Sequence, residues 1–200
     1  MIIETFEQGS PEWFDARVGI PTASEFKKIV TSTGAKSKSA DKYRYQLACE
    51  RILGKCTETI ETAAMRRGIE MEPEAREYLE FTMGVVIPQV GICYYDEHKT
   101  YSCSPDGLGD AIGYEIKCPN METHAEWLSV GTLPTKHVQQ VQGCMAVTGF
   151  EEWIFCSYYP GLPDLTLTIK RDEAFITKLQ VALAEFNEKL DETTEKLRAK

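Results

Sequence analysis

The richest chemistry in the sequence lies in Ser104-Pro105-Asp106-Gly107, followed by Tyr114-Glu115-Ile116-Lys117. Successive side chains of a β-strand point to opposite faces, so Glu115 and Lys117 share one face while Ile116 points into the core. Pro105 and Gly107 favour a turn that ends a strand and leaves the Asp106 carboxylate at its tip. A short hairpin then sets Asp106 beside Glu115. Two carboxylates and the Ile116 backbone carbonyl make a hard oxygen site suited to Mg2+ or Mn2+ with several retained waters. Lys117, held close by, would orient an attacking water and help to deprotonate it, which is the chemistry of metal-assisted phosphodiester hydrolysis. Each fragment also has a plain structural reading, because Pro-Asp-Gly is a common turn and Glu-x-Lys occurs on many solvent-facing strands. A third carboxylate, Glu72 in Glu70-Met71-Glu72-Pro73-Glu74, either completes a two-metal cluster or sits on a solvated helix face.

Turn chemistry and periodicity set out the elements that must hold these residues. Ser10 and Pro11 have the order of an N-cap and a first helical position. Thr22 and Glu25 have the spacing of a capping box, which opens a short helix through about Val30. Residues 31–39 are polar and locally basic through Lys36 and Lys38. A helix is predicted from about Ala40 to Gly54, and another from roughly Glu61 to Met83, bent near Gly68 or Pro73 and stopped by Gly84. Residues 85–96, 100–104 and 113–118 are short, β-branched and aromatic, and read as strands. Helical segments follow at about 121–130 and 134–148, and 151–159 with 165–171 form a hairpin around Pro160-Gly161. From Asp172 onward, apolar residues at 175, 176, 179, 183, 186 and 190 keep helical spacing. The expected organisation is one α/β or α+β domain over residues 1–200, ending in a long helix.

Bulk composition narrows the function. The 200 residues, 42% hydrophobic and 26% charged, suffice for a sizeable buried core. A net charge of −9 argues against a protein that simply coats DNA, which is normally basic. It remains compatible with a metal-dependent nuclease, where clustered carboxylates are required and bound cations reverse the local sign. Seven cysteines are scattered singly with only three histidines, which argues against zinc or iron–sulfur centres and for buried free thiols in a reducing compartment. The chain shows neither a basic start with an apolar run nor an apolar stretch near the ~20 residues a bilayer demands. A soluble intracellular protein without membrane contact is expected.

Five sequence blocks carry a resemblance that spans Trp13 to at least Gln142. They are Trp13-x-x-x-Arg17-x-Gly19-x-x-Thr22-Ala23-Ser24, Gly68-x-x-x-Glu72-x-x-Ala75-Arg76, Cys103-Ser104-Pro105-Asp106-Gly107-Leu108, Glu115-Ile116-Lys117-Cys118-Pro119 and Gln140-Val141-Gln142. In these blocks the chain resembles the bacteriophage lambda exonuclease family, YqaJ-like viral recombinases of the PD-(D/E)XK nuclease superfamily. The resemblance implies an α/β restriction-endonuclease-like core with a central mixed β-sheet flanked by helices. It also implies Asp106, Glu115 and the Ile116 carbonyl as metal ligands, Glu72 as the acid of a second metal, Lys117 as the catalytic lysine and Gln140 as a glutamine touching that centre. Arg17, Ser24 and Ser104 match the groups around a 5′-phosphate. Independently, a guanidinium suits phosphate oxygens, and a serine in a first helical turn sits where an anion is favoured. A salt bridge for Arg17 and simple capping for Ser24 are the structural alternatives.

At one position the family's tyrosine is replaced by His137, which either supports the site as a hydrogen-bond donor, with titration near neutrality, or is structural. Met65 is matched to a wedge at the duplex end, with core packing as its alternative. The implied activity is 5′→3′ exonuclease action on linear double-stranded DNA with two Mg2+ ions, Mn2+ being able to substitute. Mononucleotides are released and 3′ single-stranded tails remain. The implied partners are two further copies in a ring-shaped homotrimer and a single-strand annealing protein of the same phage, in the cytoplasm of a bacterial host. Two rival readings are another PD-(D/E)XK nuclease that cuts internally and a non-catalytic DNA-end-binding scaffold.

Overall fold

A computed structural model describes residues 1–57 and 62–200, so the Glu61 end of the helix expected there lies outside the described residues. The chain runs β1 (Ile2–Glu4), α1 (Pro11–Asp15), a 3-10 helix (Ala23–Lys28), α2 (Ala40–Leu53), α3 (Ala63–Met83), β2 (Ile92–Tyr94), β3 (Ser102–Cys103), β4 (Gly107–Leu108) and β5 (Ile112–Lys117). It continues with α4 (Met121–Val130), a 3-10 turn (Thr135–His137), α5 (Val138–Thr148), β6 (Glu152–Ser157), β7 (Leu165–Lys170) and α6 (Glu173–Arg198).

The larger sheet has the order β4-β5-β6-β7, antiparallel except for the parallel pair β5–β6. Parallel neighbours need a crossover, and α4 with α5 supplies it. Strand alternation then divides the sheet's side chains between two cores. Trp153, Phe155 and Leu165 face α2, α5 and α6, whose Tyr43, Leu47, Val141, Met145, Leu179 and Leu183 pack there. Tyr114, Ile116, Ile154 and Cys156 face the other way, onto Ala75 and Leu79 of α3. The expected mixed sheet flanked by helices is what the chain forms. A second, antiparallel sheet, β1-β2-β3, lies beside it.

Most elements follow their local signals. Asp172 caps α6 by accepting from Phe175 N at 2.9 Å, and every apolar position counted in that helix is buried. Gly54 and Gly84, both at φ 66°, close α2 and α3 in the left-handed conformation that glycine adopts without a Cβ clash. Two expectations fail for tertiary reasons, and a third holds only in part. The 85–96 run forms a strand only at Ile92–Tyr94, because before it Ile87 N–H goes to the Glu80 carboxylate and Pro88 has no N–H to give. The Thr22–Glu25 capping box does not form; its segment is a six-residue 3-10 helix, and the Thr22 hydroxyl is engaged elsewhere. Of the free thiols, Cys49 is exposed and Cys56 half-buried, whereas Cys93, Cys103, Cys118, Cys144 and Cys156 are buried as expected. Among the described residues no helix is long and apolar enough to cross a membrane.

Gly113 shows how tightly β5 is held. A Cβ there would lie 2.2 Å from the Trp153 ring of β6. Gly113→Ala is therefore expected to destabilise the protein by about 1–3 kcal/mol through overpacking. A thermal melt indistinguishable from the parent's would contradict this packing.

Candidate active site

The β4–β5 hairpin performs the juxtaposition that the spacing suggests. Asp106 N–H donates to Tyr114 O at 3.1 Å, and the Asp106 carboxylate accepts Ile116 N–H at 2.6 Å. Lys117 Nζ ion-pairs with Glu115 Oε1 and lies 3.9 Å from Asp106 Oδ2. From α5, Gln140 Nε2 donates to the same Glu115 oxygen at 2.6 Å. Asp106, Glu115, Lys117 and Gln140 thus converge. Tyr158 N–H takes Lys117 O on the β6 side. Backbone groups alternate between neighbours along a strand, so the Ile116 carbonyl is directed to the Asp106 side, past the end of β4.

Glu115 is fully buried, and its Oε2 has no hydrogen-bond partner. Burial raises its pKa to about 7, with Asp106 and Glu72 adding to the effect and Lys117 opposing it. Burial works against the Lys117 ammonium, yet Glu115, Asp106 and Glu72 outweigh it and raise the lysine's pKa. Lys117 is therefore a cation here.

Glu72 reaches the cluster from α3, and burial followed by the Asp106 charge raises its pKa. Its carboxylate pairs with Arg76 at 2.6 Å, one helical turn on, and Arg76 also donates to the Asp106 backbone carbonyl. This arginine, 8% exposed, ties the helix acid to the turn acid. Its sequence signal is the i,i+4 spacing from Glu72, which alone does not point to a site. Met65 is 45% exposed in the first turn of α3, about two turns before Glu72 and on the same face, which excludes core packing.

A second cluster gathers around Ser104, two residues before Asp106. Arg17 Nη1 donates to Ser104 Oγ at 3.2 Å and Nη2 to Thr22 Oγ1 at 3.3 Å, and Thr22 lies 3.2 Å from Ser24 Oγ. Trp13 stacks under the guanidinium, 3.9 Å from ring centroid to Cζ, and its indole N–H donates to Ser104 Oγ at 3.1 Å. Trp13 and Thr22 enter this cluster as partners that spacing alone did not single out. Gln8 fixes the intervening turn by donating to Val90 O and Pro105 O, each at 2.9 Å. Among the described residues Arg17 forms no salt bridge, and burial lowers its pKa. A half-buried guanidinium held on neutral hydroxyls and an indole keeps its charge uncompensated by any described carboxylate in contact with it.

His137 differs from its expected titration near neutrality. Its ring lies against Trp127 (5.3 Å) and Phe155 (5.4 Å), and burial, with Lys117 and Lys136 adding, pushes its pKa down to about 3. It occupies the N-cap position of α5, one turn before Gln140, and its side chain makes no capping hydrogen bond there.

Among the described residues no three carboxylate, imidazole or thiol groups converge closely enough to form a ready metal cage. The acids are instead held by cations, Glu115 by Lys117 and Glu72 by Arg76. The donor set nevertheless fits a hard divalent ion. It offers the Asp106 carboxylate, the Glu115 carboxylate through its orphaned Oε2, and the Ile116 backbone carbonyl, with Glu72 next to them.

The YqaJ-like viral recombinase domain profile matches residues 12–151. An alkaline exonuclease, LHK-Exo from Laribacter hongkongensis, is 34% identical, with 95% of this chain and 97% of that chain covered at a TM-score of 0.86. The same figures hold for LHK-Exo in complex with dAMP. A phage-related exonuclease from Haemophilus somnus 129PT shares the fold at 14% identity and a TM-score of 0.70, over 89% of this chain and 96% of that one. The search of curated proteins gave no match.

Proposed function

The chain belongs to the YqaJ-like viral recombinase family, and on that premise we propose a Mg2+-dependent exonuclease that degrades linear double-stranded DNA in the 5′→3′ direction. It releases 5′-mononucleotides and leaves 3′ single-stranded tails for a single-strand annealing protein of the same phage. A nuclease role comes with the family. The metal, direction and duplex preference come from the family resemblance, and the end-recognising part of the reading is supported by one observation: the Asp106–Glu115–Lys117 cluster and the Arg17–Ser104 cluster are separated in sequence by the single residue Pro105.

Asp106, Glu115 and the Ile116 carbonyl would hold one ion, and Glu72 a second. When bound, such ions stabilise charge on the entering and leaving oxygens of a phosphodiester displacement. Gln140 fixes the Glu115 carboxylate through Oε1 and leaves Oε2 for the cation. Lys117 orients the attacking water and offsets charge gathering on the scissile phosphate. Arg17, with Ser24 and Ser104, holds the terminal 5′-phosphate, so the strand is measured from its end before it is cut. The dAMP complex of the 34%-identical exonuclease supports a nucleoside monophosphate as product. A closed homotrimeric ring would retain DNA despite the −9 net charge, and the exposed Phe81 and Val86 offer apolar surface for subunit contact.

The direction can be read from two labels. With Mg2+ and a 5′-phosphorylated duplex, a 5′ label should leave early as a mononucleotide while a 3′ label stays on long strands. Early loss of the 3′ label would reverse the proposed polarity.

A further inference from the structure

Gly68 is a glycine for which the described residues give no reason. Eight glycines take a positive φ that other residues avoid, and Gly68 is not among them. Of those with an ordinary φ, Gly91, Gly107, Gly113 and Gly143 are crowded, since a Cβ on any of them would come within 2.5 Å of a neighbour. At Gly109 a Cβ would make ordinary contact at 3.5 Å. At Gly68 it would meet no described residue within 4 Å. Gly68 nevertheless stands inside α3, which runs unbroken from Ala63 to Met83, and glycine weakens a helix interior more than any residue but proline.

Its place on that helix is specific. Residues three and four apart share a face, so Gly68 continues the stripe of Glu72, Ala75 and Leu79. Ala75 and Leu79 are fully buried against the sheet, beside Tyr114 and Ile116. One turn before Glu72 the stripe has run past the sheet, and there the helix is bare. Arg67, the next residue, reaches across to the ends of two strands. Its Nε donates to Pro119 O at 3.3 Å, two residues beyond Lys117, and its Cζ lies 4.7 Å from the centroid of the Tyr159 ring, two residues beyond β6. Gly68 thus lines a notch with Met65 one turn above it, Arg67 at its side, and Glu72 and the Lys117 end of β5 beneath.

We infer that Gly68 is kept bare so that a deoxyribose adjoining the scissile phosphate can lie directly against the α3 backbone, which makes it a substrate-positioning residue. Glycine serves where a ligand must approach the backbone closely. This rests on the exonuclease reading above. The sugar is constant from one nucleotide to the next, so a clearance of fixed size suits it, whereas purines and pyrimidines differ in size. A side chain at this position would push the strand away from Glu72 and Lys117.

Single-turnover cleavage of a 5′-phosphorylated linear duplex with Mg2+, and a thermal melt, are measured on the full chain. Gly68→Ala should raise Tm by about 1–4 °C, because alanine favours the helix and meets open space. The same substitution should slow cleavage about tenfold or more, the effect of one carbon in a fitted pocket. Gly68→Leu should slow it by on the order of 10²-fold or more, as a displacement of ~1 Å does. The loss should be equal with purines or pyrimidines at the 5′ end. Thr82→Ala, exposed about 20 Å further along α3, also favours the helix and should leave the rate unchanged. A more stable but slower enzyme is a result that a purely structural glycine would not give. Parental rates in both Gly68 variants, a lower Tm for Gly68→Ala, an equal loss in Thr82→Ala, or a loss confined to purine ends overturns the clearance. If the chain without any substitution releases no nucleotide from the linear duplex, the exonuclease reading falls and takes the clearance with it.

Discussion

Lys117→Ala is expected to lower the rate of strand hydrolysis by on the order of 10²–10⁴, the range lost with a positioned proton-transfer or charge-stabilising group. The substitution removes the cation that neutralises Glu115 and lies 3.9 Å from Asp106. Truncating one partner of a buried pair normally costs about 3–5 kcal/mol because a lone charge stays behind. Here the loss should be smaller. Glu115 already has its pKa raised to about 7 by burial, so without Lys117 it takes up a proton near neutrality and is left uncharged. The variant should thus remain folded, with a melt close to the parent's, while single-turnover cleavage nearly disappears. Unchanged cleavage by the folded variant would remove Lys117 from the mechanism.

Arg17→Met should abolish the preference for a phosphorylated 5′ end. Methionine keeps an apolar stem against Trp13, whose ring stacks on the guanidinium at 3.9 Å, but brings no charge. Hydrogen bonds to a charged group contribute about 1.5–3 kcal/mol each, so losing two to one phosphate should cost on the order of 10²–10⁴-fold in kcat/KM on 5′-phosphorylated duplex. Rates on 5′-hydroxyl duplex should barely change, and the ratio between the two substrates should fall toward one. A ratio that survives the substitution would show the end being recognised elsewhere.

The parts that sequence made legible are those governed by local periodicity. Strand alternation was enough to put Glu115 and Lys117 on one face and Ile116 on the other, and a Pro-Asp-Gly turn brought Asp106 to them. The same applies to α6, where apolar spacing and an aspartate cap dictate the helix. What stayed hidden depends on distant partners. The Thr22 hydroxyl, which local spacing assigns to a capping box, is drawn to Arg17 and Ser24. Arg76 spans Glu72 and the Asp106 carbonyl only once α3 lies against β5. His137 was open to a titrating role, and only its packing against Trp127 and Phe155 reveals the burial that pushes its pKa down.

The central claim is that the Asp106–Glu115–Lys117 centre cuts a strand whose 5′ end is held by Arg17, Ser24 and Ser104. It is tested most directly by initial rates with Mg2+ on three duplexes of one sequence: linear with 5′-phosphate, linear with 5′-hydroxyl, and covalently closed circular. Mononucleotide release should be fastest from the phosphorylated ends, much slower from the hydroxyl ends and absent from the circle. Cleavage of the circle, or equal rates on the two linear forms, would contradict it.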